Sequence, residues 1–210
     1  MTLQPKAPGP DSERSRGDPP RSIVGVGASG SAGLHDLRTL LAAWPPACPA
    51  AVMVVLHRPA DRQSQLPAVL RSAASIPVVV AHQGAAVSPG VCYLGEPDAH
   101  LTLDAAGRID LTPNSLHRNR TIDLLRHSLA EHAAPNVMGV ILSGSLDDGA
   151  RGLAAIAKAG GATMTVSPDG AYGGQMPQNA VERCGSVDFR GEPAEIAREV
   201  GRRTSVGVRT

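Results

Sequence analysis

Aromatic side chains are nearly absent from this chain: Trp44, Tyr93, Tyr172 and Phe189 are the only four in 210 residues. A core must therefore be assembled from Ala, Val, Leu and Ile, which suits parallel strands covered by helices. An excess of either charge is missing too. Twenty Lys and Arg against nineteen Asp and Glu leave a net charge of +1 with no dense basic run. Together with the lack of an aromatic platform, this argues against nucleic acid as a partner. No apolar run approaches the roughly 18 to 20 residues of a membrane-spanning helix, and the first residues lack the apolar stretch of a signal peptide. The three cysteines, Cys48, Cys92 and Cys184, are widely separated and form no CxxC. They point to reduced thiols in a cytoplasmic protein, with neither a disulfide frame nor a zinc site.

What is present reads as one α/β domain. Hydrophobic positions make up 42% of the chain, enough for a proper core at this length. Residues 1–21 hold Pro5, Pro8, Pro10, Pro19 and Pro20 among Gly, Ser, Asp and Arg and are expected to form a disordered tail. Residues 22–203 form the domain. Strands are expected at Ile23 to Val26, Ala51 to Leu56, Val78 to Val80, Val137 to Leu142 and Ala162 to Val166. Val91 to Leu94 and His100 to Leu103 read as a hairpin-like antiparallel pair, with a third short strand from Arg108 to Leu111. Helices are expected from Leu34 to Ala43, about Ser64 to Ala73, Thr121 to Leu129, Arg151 to Ala159 and Pro193 to Gly201. The stretch through Gly170, Gly173, Gly174, Met176 and Pro177 reads as a loop. The fold class is a doubly wound, mostly parallel sheet flanked by helices, with a small antiparallel hairpin region.

The chain is organised around the segment from Ser22 to Leu37, a buried strand that breaks at a turn of Gly, Ala and Ser and opens a helix. Three readings fit that turn. Gly25, Gly27 and Gly30 spell the G-x-G-x-x-G of a dinucleotide site. Ser29 can be a nucleophile on a strand-to-helix elbow. Ser29 can also be no more than a helix cap in a tightly packed strand–helix unit. A dinucleotide site wants an acid at the end of the second strand, where His57 stands; Arg58 could instead meet a 2′-phosphate, which leaves an NADP-binding reading open.

Ser29, His57 and Asp148 each follow a buried strand, on the sheet edge where loops converge in such folds. They are the inventory of nucleophilic acyl transfer: a serine, an imidazole to take its proton, and a carboxylate to fix the imidazole tautomer. The remaining histidines, His35, His82, His100, His117, His127 and His132, have no paired metal-ligand spacing and read as solvated or structural.

Several motifs, in order, resemble the catalytic domain of the chemotaxis protein-glutamate methylesterase family, CheB. They are Gly27-Ala28-Ser29, His57-Arg58-Pro59, Ser88-Pro89-Gly90-Val91-Cys92-Tyr93, Thr121-Ile122-Asp123, the run from Leu142 to Ala150, and Gly174-Gln175-Met176-Pro177, within Ile23 to about Arg198. The resemblance implies Ser29 as nucleophile, His57 as general base and then acid, Asp148 as its orienting partner, and the backbone amide of Ser145 in the oxyanion hole. It implies hydrolysis of γ-glutamyl methyl esters, and deamidation of glutamines, on the cytoplasmic helices of methyl-accepting chemotaxis receptors, with no metal or organic cofactor. It also implies a catalytic domain standing without the family's N-terminal receiver domain. A degenerate esterase-like signalling module is the rival reading. It is favoured by departures from the family pattern: Gly30 stands where a Ser or Thr usually follows the nucleophile, and Ser145-Leu146 replaces Met-Gly. A third departure, Arg58 in place of an apolar residue, is expected to draw in acidic substrate segments or to disfavour protonated His57.

Overall fold

The computed structural model describes residues 20–58, 65–113, 120–132, 136–145, 147–167 and 174–206. The tail expected over residues 1–21 lies almost wholly outside them, as do Pro59, Ser64, His117, Leu146 and the glycines at 170 and 173.

The chain runs β1 (Ser22–Ser29), α1 (Gly30–Ala42), β2 (Ala51–His57), α2 (Leu66–Ala73), β3 (Val78–Val80), β4 (Cys92–Leu94), β5 (Ala99–Leu103) and β6 (Ile109–Pro113). It continues through α3 (Thr121–Glu131), β7 (Asn136–Ile141), α4 (Ala150–Lys158), β8 (Ala162–Val166), α5 (Gln175–Cys184), β9 (Phe189–Gly191) and α6 (Pro193–Val206). Seven strands form one sheet in the order β3-β4-β2-β1-β7-β8-β9, every pair parallel. The doubly wound reading holds. Strands β5 and β6 pair separately and antiparallel.

The central strands are buried on both faces, which is why they read as unbroken apolar runs. Val24, Val26 and Ala28 of β1 pack with Leu37, Leu40 and Leu41 of α1, Leu66 and Leu70 of α2, and Ile196, Ala197 and Val200 of α6. On the opposite face, Ile23, Met53 and Val55 pack with Ile122, Leu125 and Leu129 of α3, Leu153 and Ile156 of α4, and Met176 and Ala180 of α5. Because all seven strands are parallel, the loops after β1, β2 and β7 emerge on one edge, where open α/β sheets bind their ligands.

Three sequence expectations change. Val91–Leu94 is not the hairpin partner of His100–Leu103: its core, β4, joins the main sheet between β2 and β3, and β5 pairs with β6 instead. Alternation in so short a strand records burial, not the identity of its partner. The first helix starts at Gly30 rather than Leu34, because β1 stays extended to Ser29 and the small residues behind it already turn. Gln175–Cys184, expected to begin as loop, is helical, with Met176, Pro177 and Ala180 buried; Pro177 falls in the first turn, where its missing N–H costs nothing.

Candidate active site

Parallel register places the first two candidates side by side. Ser29 is the last residue of β1 and His57 the last of β2, and their Cα atoms are ladder partners, with neighbouring strands about 4.8 Å apart. Ser29 has extended geometry (φ −145°, ψ 140°), and its hydroxyl does not cap α1. The helix-cap reading therefore fails, and the oxygen is left for other work. The Ser29 N–H donates to the Ser143 carbonyl at 3.1 Å, which ties the Ser29 backbone to the turn after β7.

Asp148 reaches His57 from that same turn. Its carboxylate Oδ2 lies 2.6 Å from His57 Nε2, with the Asp148 side chain 1% exposed and His57 15%. A carboxylate only accepts hydrogen bonds, so Nε2 is the donor of this contact, and in the neutral imidazole the lone pair then lies on Nδ1. Two backbone donors at the start of α3 fix the carboxylate further: Ile122 N–H to Oδ2 at 2.8 Å and Asp123 N–H to Oδ1 at 2.9 Å. These amides have no partner inside their own helix, and the positive end of the helix dipole favours an anion there. Gly149 follows with φ +100°, a left-handed conformation that suits glycine and turns the chain into α4.

The turn between β7 and Asp148 is pinned over Ser29. Asp36, buried on α1, accepts the Ser143 N–H at 3.0 Å. The Gly144 carbonyl accepts the Met176 N–H at 3.1 Å. A Cβ added at Gly144 would lie 2.8 Å from Ser29 Cβ and collide with Met176, so only glycine lets this turn pass so close to Ser29. Ser145 is exposed at the next position.

The CheB methylesterase family model matches residues 24–200. The chain belongs to this family. A protein-glutamate methylesterase/protein-glutamine glutaminase of Bradyrhizobium diazoefficiens is 35% identical over 169 residues, covering 78% of this chain and 46% of the relative. One from Syntrophus aciditrophicus is 31% identical over 194 residues, covering 90% and 56%. The chain thus spans about half the length of the curated relatives it matches. The crystal structure of the Thermotoga maritima CheB methylesterase catalytic domain superposes with a TM-score of 0.76 at 26% identity, covering 87% of this chain and 97% of that one.

Within the CheB fold the glycines of β1 have a different task from the one the dinucleotide reading assigned. Gly25 and Gly27 lie inside the strand, not in a turn. A Cβ at Gly25 would lie 2.6 Å from Leu129 Cδ1, and one at Gly27 would strike Ile122 and sit 3.0 Å from Arg126 Nη2. They clear a seat for α3. The NADP reading falls with them.

Arg58 also departs from expectation. Its guanidinium turns away along the sheet edge, donating to the Gly95 carbonyl at 3.1 Å and pairing with Glu96 at 3.6 Å. With its side chain 11% exposed, it clasps the ends of β2 and β4 and is not presented to acidic segments. Burial lowers its pKa, against the opposing pull of Glu96 and Asp98.

Arg126 and Asp36 are the residues that sequence reasoning missed. The Arg126 side chain is fully buried on α3 beneath the Asp148 turn. It donates from Nη1 to the Gly149 carbonyl at 2.9 Å and from Nη2 to the Val140 carbonyl. Burial pulls its pKa down to about 10, with Asp148 and Asp123 opposing, so it stays a cation at neutral pH. Gly27, Gly149 and Gly152 line its seat: a Cβ at any of them would crowd the Arg126 side chain. The signal was present in the spacing, since position 126 belongs to the same helical stripe as Ile122, Leu125 and Leu129. Asp36 lies likewise on the buried stripe of α1, beside Leu37 and Leu40.

Proposed function

We propose that the chain is a serine carboxylic-ester hydrolase that removes methyl groups from γ-glutamyl methyl esters on chemoreceptor helices and deamidates glutamines at such sites. The observation that carries this reading is the 2.6 Å contact between His57 Nε2 and a buried Asp148, at a strand end directly beside Ser29. The names of the relatives, protein-glutamate methylesterase/protein-glutamine glutaminase, supply the substrate class.

In this reading His57 Nδ1 takes the Ser29 proton as Oγ adds to the ester carbonyl. Asp148 holds the imidazole through Nε2–H and balances the cation that forms. The Ser145 N–H meets the oxyanion, on a turn held rigid by Asp36 and Met176. The ester C–O bond then breaks, and the proton on His57 goes to the departing methoxide oxygen to give methanol. Water, deprotonated by His57, cleaves the acyl-serine and restores Ser29. With a glutamine side chain, ammonia leaves in place of methanol.

The test is methanol release from a methylated receptor cytoplasmic fragment, followed by coupled oxidation of the alcohol. Release by the wild-type chain, and its loss on Ser29→Ala, is the expected result. A folded wild-type protein that releases no methanol would favour the degenerate module.

A further inference from the structure

Asp123 has a second contact besides the backbone N–H it gives to Asp148. It is the third residue of α3 and is buried, as Asp148 is. Its side-chain Oδ1 accepts the N–H of Gly152, the third residue of α4, at 2.7 Å. Amides in a first turn have no partner inside their own helix, and an anion there meets the positive end of the helix dipole. The two acids therefore cap each other's helices: Asp148, just ahead of α4, holds the start of α3, and Asp123, in α3, holds the start of α4. The result is a closed ring, from the Asp148 carboxylate to the Asp123 N–H, from the Asp123 carboxylate to the Gly152 N–H, and back along the chain to Asp148. The helices meet closely enough that a Cβ at Gly152 would lie 2.6 Å from Arg126 Cβ and 2.9 Å from the Asp123 carbonyl oxygen. The buried Arg126 cation interacts with both carboxylates, which offsets part of the cost of burying two acids side by side.

We propose that Asp123 is a positioning residue of this site, which sets the Asp148 carboxylate under His57 by locking the start of α3 to the start of α4. The inference rests on the triad reading above. Substitution of the Asp123 side chain leaves both backbone donors to Asp148 in place and opens the ring only at Gly152. The carboxylate then keeps its partners but moves with a loosened α3. Asparagine still offers an oxygen to the Gly152 N–H, whereas alanine offers none.

The experiment measures kcat and KM on a methylated receptor fragment, per active site titrated with a fluorophosphonate, and the rate at which that probe labels Ser29. Asp123→Ala should lower kcat on the order of tenfold at unchanged KM, less than the roughly 10²-fold that a displacement of about 1 Å can cost. Asp123→Asn should recover most of the loss. The labelling rate should fall about as much as kcat in the wild-type background and stay nearly level in an Asp148→Asn background, because residues that act through one another are not additive. Should Asp123→Ala fail to fold, Asp123→Ser, too short to reach the Gly152 N–H, takes its place with the same expectation. A folded variant with wild-type kcat per titrated site would overturn the proposal, as would equal slowing in both backgrounds or an Asp123→Asn protein as impaired as Asp123→Ala. In each of these cases the triad reading stands. Wild-type labelling and kcat in Asp148→Asn alone would refute the triad reading, and the proposal with it.

Discussion

Replacing Arg126 with methionine keeps most of the apolar stem and removes a buried cation from beneath the Asp148 turn. Two charge-assisted bonds are lost, to the Gly149 and Val140 carbonyls, each worth about 1.5–3 kcal/mol. Two effects offset part of this. The Gly149 carbonyl keeps its helical partner, the Leu153 N–H at 2.9 Å, and the desolvation cost of the guanidinium, whose Nε has no partner among the described residues, disappears. The net destabilisation should be about 2–4 kcal/mol, a fall of about 1–2 M in urea midpoint at a slope of about 2 kcal/mol per M. Since Asp148 and Gly149 are adjacent, a loosened turn should also misplace the carboxylate under His57 and lower kcat on the order of 10²-fold. Arg126→Lys, which keeps the charge but not the fork, should fall between. Urea melts, with kcat normalised to titrated active sites, measure both effects. An Arg126→Met protein with wild-type midpoint and kcat would refute the reasoning and reduce Arg126 to a space-filler.

Other expectations follow from the same contacts. Asp148→Asn should lower kcat on the order of 10⁴-fold, because the amide favours the wrong imidazole tautomer, and should lower Tm as well, because its single oxygen cannot accept both the Ile122 and the Asp123 N–H; damage from Asp147→Asn instead would move the orienting carboxylate by one residue. Asp36→Ala removes the acceptor of the Ser143 N–H and should cost about tenfold in kcat, largely restored in Asp36→Asn, whose amide oxygen still accepts; equal rates for both variants would refute this. Glu199 accepts bonds at 2.7 Å from Arg202 and Arg203. Its pKa is held at about 2, below the ordinary 4.5, first by the Arg202 bond, against the opposing cost of burial, with Arg203 adding to it. The folded value is the lower one, so this stabilisation is complete above about pH 4.5 and is lost as pH falls through about 2. Thermal melts of Glu199→Gln should therefore lie below wild type at pH 6 and converge with it near pH 2.

The fold was legible because β1, β2 and β7 are continuous apolar runs, and a strand buried on both faces has no other sequence form. The same runs placed Ser29, His57 and Asp148 at one sheet edge before any contact was visible. The remainder was hidden for identifiable reasons. Gly25 and Gly27 fit a dinucleotide fingerprint as well as a seat for α3, and only the neighbouring helix decides between them. Arg126 and Asp36 carry charges that normally mark a solvent face, yet their partners are backbone groups of a turn distant in sequence, which no local pattern encodes. Arg58 stands beside His57 in sequence but turns along the sheet edge, because the Gly95 carbonyl and Glu96 just past the end of β4 offer partners. Strand β9 has three residues, Phe189 to Gly191, too few for any periodicity to register.

Ser29 as an activated nucleophile is the central claim, and covalent labelling with a fluorophosphonate tests it most directly. The intact protein should gain one adduct, located by peptide mass spectrometry on Ser29, and His57→Ala should slow its formation on the order of 10³-fold or more. An adduct on Ser31 or another serine, or none on a folded protein, would contradict the account.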